Sequence, residues 1–152
     1  MLLCAVAICG TFLTQWEGVT HRRQREKVCV NVYMEAQRQG VEPLLAVAVA
    51  WTESAFISSA RSSAGAVGPM QVLPRFWCPG GKEKGCQLVK EGVRALKFYV
   101  KRYDHNGGLC AYFSGQPCSK APPAASRYRS KVIDTALQLS VIAEEVCHMD
   151  GC

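Results

Sequence analysis

The sequence predicts a mainly α-helical domain. Three observations carry that reading: apolar residues recur at helical spacing, glycine or proline stands at the segment ends, and no convincing apolar–polar alternation marks a strand. With 152 residues, 49% hydrophobic and 20% charged, the chain suits one domain that buries roughly two-thirds of its unfolded surface. Residues 1–20 read as a signal peptide or apolar leader, and residues 28–152 as the domain.

Met1 to Leu13 is apolar but too short to span a bilayer, the size of a signal-peptide core. No Lys or Arg precedes it, and the basic run His21-Arg22-Arg23-Gln24-Arg25-Glu26-Lys27 follows it, the reverse of an ordinary export leader. That run reads as a solvated linker face. The bulky Ile8 before Cys9 disfavours lipoprotein processing. From Val28 to Gln39, Val28, Val32, Tyr33, Met34 and Ala36 form an amphipathic pattern that Gly40 ends. Val41 to Trp51, with Pro43 in its first turn, has scarcely a polar residue and reads as a central buried helix. Ser58 to Gly68 is a loop of small residues, and a small β-hairpin fits near Val67 to Val72. Leu88 to Tyr103 is a further helix, stopped by Asn106-Gly107-Gly108. Leu109 to Ser114 is short and aromatic, Pro122-Pro123 breaks the chain, and Tyr128 to Cys147 is the closing helix.

Nine cysteines are many for this length. Cys78 and Cys86 bracket one turn-rich loop and Cys110 and Cys118 another, so each pair is placed to close a short disulfide; Cys29 with Cys147 would join the ends of the fold and leave Cys152 unpaired. Short-loop disulfides persist in oxidising compartments, which points to a periplasmic or otherwise extracytoplasmic setting, with a phage virion as the alternative. No metal and no cofactor is expected: there is no C-x-x-C pair, and His21, His105 and His148 are not spaced as ligands. The net charge of +6 favours an acidic partner. Nucleic acid is the least supported, because Lys and Arg are otherwise scattered and no zinc-finger or RNA-binding signature appears.

One carboxylate stands where the apolar helix meets the small-residue loop. Glu53 follows Trp51-Thr52 at the end of a dry segment, a setting that raises a carboxyl pKa and makes a usable general acid near neutral pH. The run Glu53-Ser54-Ala55-Phe56, then Ala60, Ser62, Gly65-Ala66, Gly68, Met70-Gln71 and Pro74, resembles the catalytic motif of the soluble lytic transglycosylases, relatives of goose-type lysozyme that cleave peptidoglycan glycan strands. Cys110-Ala111-Tyr112-Phe113-Ser114-Gly115 resembles that family's Ala-Tyr-Asn-x-Gly segment, with Phe113 in place of asparagine. Gly92 to Leu96 resembles its Gly-x-x-Tyr-Leu portion, with Ala95 in place of tyrosine, and Tyr128 to Val132 its later Tyr-x-x-x-Val helix.

The resemblance implies a lysozyme-like fold with Glu53 as catalytic acid. It implies a substrate-binding set of Ser54, Ser62, Gly68, Met70, Gln71, Tyr112 and Tyr128. Ser54 and Ser62 would support the glutamate and its loop, Met70 and Gln71 would lie along the groove, and Tyr112 would hydrogen-bond Glu53. Glycosidases normally use two carboxylates; no Asp or Glu lies between Glu53 and Glu83, and Glu83, Glu91 and Asp104 have no catalytic setting. A lone acid suits the route that ends in a 1,6-anhydro-muramoyl product. The expected partner is peptidoglycan, cut by a monomer serving a secretion, pilus, conjugation or phage apparatus. A hydrolytic goose-type lysozyme and an inactive glycan-binding protein are the alternatives, the second favoured by Phe113 and Ala95 and opposed by the intact glutamate motif. An effector-like, disulfide-rich interaction protein would leave that motif unexplained.

Overall fold

The computed structural model describes residues 1–150. Helices α1 to α6 cover Leu2–Thr14, Arg22–Gln39, Pro43–Ser54, Pro74–Trp77, Leu88–Ser114 and Pro123–Asp150, with a 3-10 turn at Pro79–Gly81. The mainly α class holds. Among the described residues there is no sheet: near Val67 to Val72 the chain makes isolated antiparallel bridges, Arg61 with Val67 and Val67 with Val72. No described helix is long and apolar enough to cross a membrane.

The fold is arranged around α3. Leu45, Ala46, Val47, Ala48, Val49 and Ala50 are all buried, so this helix needs cover on every side. α2 and α6 pack on it, α1 packs on α2 and α6, and α5 packs on the same two helices. Glu42 begins α3 by accepting hydrogen bonds from the Leu44 and Leu45 N–H groups, and Pro43 at the first helical position needs no such bond.

The apolar segment expected as a leader is part of this core. Ile8, Cys9, Phe12 and Leu13 are at most 1% exposed. Residue 28 is therefore no packing boundary. α1 lies on α2 and brings Cys9 to Cys29, with Cα atoms 5.9 Å apart and a disulfide between them. This corrects the expected Cys29–Cys147 pair: Cys147 keeps a free, partly buried thiol. Cys152, expected to be unpaired, lies outside the described residues. The short-loop disulfides Cys78–Cys86 and Cys110–Cys118 are present as expected. The basic run is helical from Arg22 onward and not a linker.

α5 is broken at Asp104 (φ 64°, ψ −175°), earlier than the expected stop. The Asp104 side chain accepts the Gly107 N–H at 2.8 Å and so starts the second segment. Gly108 lies inside that segment, where a Cβ would stand 2.7 Å from the Val100 Cα. Glycine is needed there for close approach and not for termination. α6 starts at Pro123, ahead of the expected Tyr128.

Phe12→Ala should cost about 3–5 kcal/mol, as expected for a large ring in a closed core. Urea unfolding checks this; a loss below about 1 kcal/mol would place α1 outside the cooperative unit.

Candidate active site

The end of α3 is held by several independent devices. After Glu53 and Ser54 the chain turns through two successive left-handed residues, Ala55 (φ 51°) and Phe56 (φ 63°). Neither is glycine, so each position costs on the order of 1–3 kcal/mol. Burial of Phe56, 1% exposed, offsets part of this; its ring centroid lies 5.3 Å from that of Trp51. Arg25, from the basic run of α2, donates to the Ala55 carbonyl at 2.9 Å. Ser54 Oγ donates to the Pro69 carbonyl at 2.7 Å and accepts the Ile57 N–H at 3.2 Å, tying the helix end to the following loop. The backbone that carries Glu53 is fixed before any ligand arrives.

Glu53 itself is half-buried, and burial pushes its pKa up to about 7. The opposing influence is Tyr128, whose hydroxyl donates to Glu53 Oε1 at 2.8 Å and favours the ionised form. Because the folded pKa exceeds the ordinary 4.5, the stability tied to this carboxyl is complete below about pH 4.5 and is lost as pH rises through about 7. Tyr128 is 7% exposed, and the exposed Phe113 lies over it with centroids 4.9 Å apart and rings 31° from parallel. The residue that replaces the family's asparagine thus covers the acid's hydrogen-bond donor.

Tyr112 does not bond Glu53. Its hydroxyl donates to the Met70 carbonyl at 2.7 Å. The charge of Glu53 still raises the Tyr112 pKa, after burial as the larger cause, so the ring stands near the acid with its donor already used. The sequence signal selected the wrong tyrosine of two that converge here. Met70 also departs from expectation. Its side chain is 0% exposed, packed where a Cβ on Gly92 would approach within 2.6 Å, so it supports the loop from beneath and does not line the groove.

The other loop residues have defined places. Gly68 (φ +80°) is buried, and a Cβ there would meet Leu88 Cδ1 at 2.7 Å. Gln71 (φ 49°) donates to the Gly68 carbonyl at 2.9 Å and the Ala60 carbonyl at 3.2 Å. Together with Tyr112, Phe113 and Ala95 it lines a cavity of about 280 Å³. Ser62 is exposed, and its Oγ accepts the Ala66 N–H at 3.1 Å, closing the turn. Tyr128 and Tyr112 therefore converge on Glu53, Gln71 shares a cavity with Tyr112, Ser54 ties the helix end to the loop, Gly68 and Met70 are buried in that loop, and Ser62 is a turn residue. Sequence reasoning missed Arg25, whose only signal was its place in a charge run, and the stacking role of Phe113.

Among the described residues, no second carboxylate is seen to support Glu53. Glu83 pairs with Arg61, Glu91 pairs with Arg94, and Asp104 caps a helix segment. Burial raises the Glu53 pKa and the Tyr128 hydrogen bond opposes it. The arrangement is one proton donor, poised near neutrality, beside a cleft.

The family model described as "Transglycosylase SLT domain" matches residues 31–131, well over half of the chain and inclusive of Glu53, Gln71, Tyr112 and Tyr128. No curated protein and no solved structure matches the chain.

Glu53 acts as an acid only while protonated, so glycan cleavage should fall as pH rises through about 7. Tyr128→Phe removes the bond that favours the carboxylate, so the surviving activity should lose its basic limb at higher pH than the wild type. A limb that stays in place or moves to lower pH would contradict this electrostatic assignment.

Proposed function

We propose a mechanism from the premise that the chain belongs to the transglycosylase SLT domain family and is a peptidoglycan lytic transglycosylase. Glu53 carries both proton transfers. Protonated Glu53 gives its proton to the oxygen linking N-acetylmuramic acid to N-acetylglucosamine, and the bond from that oxygen to the muramoyl C1 breaks. The N-acetyl group of the muramoyl residue steadies the positive charge left at C1. The glutamate, now ionised, takes the proton of the C6 hydroxyl as that oxygen closes on C1. The product is a 1,6-anhydro sugar, no water is consumed, and Glu53 ends protonated.

The observation that carries this reading is the half-buried Glu53, held by Tyr128 with a pKa near 7. A pKa near the working pH suits a group that must first give and then take a proton. Gln71 and the Tyr112 ring, at the lining of the adjoining cavity, are the groups we assign to the glycan.

We assign the action to an extracytoplasmic compartment, the periplasm or a phage particle reaching it. The Cys9–Cys29, Cys78–Cys86 and Cys110–Cys118 disulfides support that assignment. The role we infer is local wall opening for a secretion, pilus, conjugation or phage apparatus, performed by a monomer; a single catalytic domain with a +6 charge suits an anionic wall polymer.

Purified peptidoglycan incubated with the wild type should yield anhydromuropeptides by mass spectrometry, and none with Glu53→Gln. Products ending in reducing sugars would make the protein a hydrolytic lysozyme, and turnover by Glu53→Gln would remove Glu53 from the mechanism.

A further inference from the structure

Trp16, just after α1, lies outside the stretch 31–131 matched by the family model, yet it joins residues of α3 and α6 in lining a second cavity. We propose that Trp16 and Trp51 form the floor of an additional sugar site that holds an N-acetylhexosamine further along the glycan strand. The proposal rests on the assignment of peptidoglycan as substrate and names a contact that the family match does not contain.

The cavity has a volume of about 500 Å³, within the usual range of roughly 300–1,000 Å³ for small-ligand sites. Trp16 is 38% exposed. Its inner surface is backed by Trp51, with centroids 5.0 Å apart, and by Phe12 at 6.1 Å, so the ring is rigidly mounted with part of it toward solvent. The Gln138 amide donates to the Gln15 side-chain oxygen at 3.1 Å, which pins the chain next to Trp16 onto α6. Thr52, Ala55, Lys131, Asp134, Thr135 and Gln138 complete the lining. Lys131, Asp134 and Gln138 recur at helical spacing and present one face of α6. Lys131 and Asp134 are exposed, and the ion pairs among the described residues, Glu35–Arg38, Arg61–Glu83 and Glu91–Arg94, include neither.

A pyranose ring has an apolar face of C–H groups and a rim of hydroxyl and amide groups. A tryptophan floor with a donor-and-acceptor rim complements both. Location selects the occupant. Thr52 adjoins Glu53 in the chain, and Lys131 lies one helical turn beyond Tyr128, which bonds Glu53. Phe113, stacked on Tyr128, lines the cavity that also holds Gln71 and Tyr112. Tyr128, which holds the acid, is thus linked to both cavities, to one through Phe113 and to the other through Lys131, and we infer that a glycan strand bound at Glu53 continues to Trp16.

The test uses the Glu53→Gln protein, which should bind without cutting, titrated with the hexamer of N-acetylglucosamine by calorimetry and tryptophan fluorescence. Adding Trp16→Ala should weaken hexamer binding by about tenfold, and Trp16→Phe, which keeps a flat ring, should restore most of it. Asp134→Ala, at an exposed position with no ion pair, should weaken binding severalfold without changing the melting temperature; it keeps the proposal testable if Trp16→Ala does not fold. Unchanged affinity in folded Trp16→Ala and Asp134→Ala proteins, or no hexamer binding at all, overturns the proposal. Cleavage of peptidoglycan by the wild type tells the two failures apart. If cleavage persists while these variants bind normally, the sugar site falls and the catalytic reading stands. If cleavage is absent while Trp16→Ala weakens binding, the reverse holds.

Discussion

The structure depends on keeping one carboxyl group poor in water. Glu53 lies near the end of a helix whose residues Leu45 to Ala50 are all buried, and it is its own burial there that carries the pKa to about 7. Three other helices supply it. α2 and α6 cover α3 directly, and α1 packs across both. Each serves the acid in a second way: α2 contributes Arg25 to brace the left-handed turn, α6 contributes Tyr128 to hold the carboxyl, and α1 contributes Phe12, which packs against Trp51 together with Trp16 just after the helix. Hydrophobic packing and catalytic electrostatics are here the same set of contacts.

Tyr128 sets the limit of that effect. Full desolvation would hold the carboxyl protonated and useless as a base, whereas an exposed carboxyl would be ionised and useless as an acid. One phenol donor at 2.8 Å works against burial and leaves Glu53 able to do both. The phenol stays a donor because its own pKa is held well above the usual value, by burial first and then by the charge of Glu53. Phe113 closes over the pair, so the departure from the family's asparagine changes the surface of the cleft and leaves the acid's bond intact.

Local chemistry was legible in the sequence, and long-range pairing was not. The apolar run before Glu53, Pro43 at the start of α3 and the small-residue loop each state their structure within a few residues, and so do the cysteines that close eight-residue spans. Tyr112 and Tyr128 both converge on Glu53 from distant segments, and only the packing of α5 against α6 decides which one bonds it. The same limit explains Cys29: its partner Cys9 reaches it only through the packing of α1 on α2, which no local pattern states. Met70 was misread because the motif fixes its position without saying that its side chain points inward beneath Gly92. Arg25 gave no signal beyond a charge run, since its role exists only once α2 lies against the end of α3.

The central claim is that burial keeps Glu53 protonated near neutrality. Carbon-13 NMR of the glutamate carboxyl carbons, with Glu53 identified by its loss in Glu53→Gln, reads the titration directly. The account predicts a midpoint near 7, well above the ordinary 4.5. A midpoint at the ordinary value would show a solvated carboxylate and would contradict the desolvated acid on which the mechanism rests.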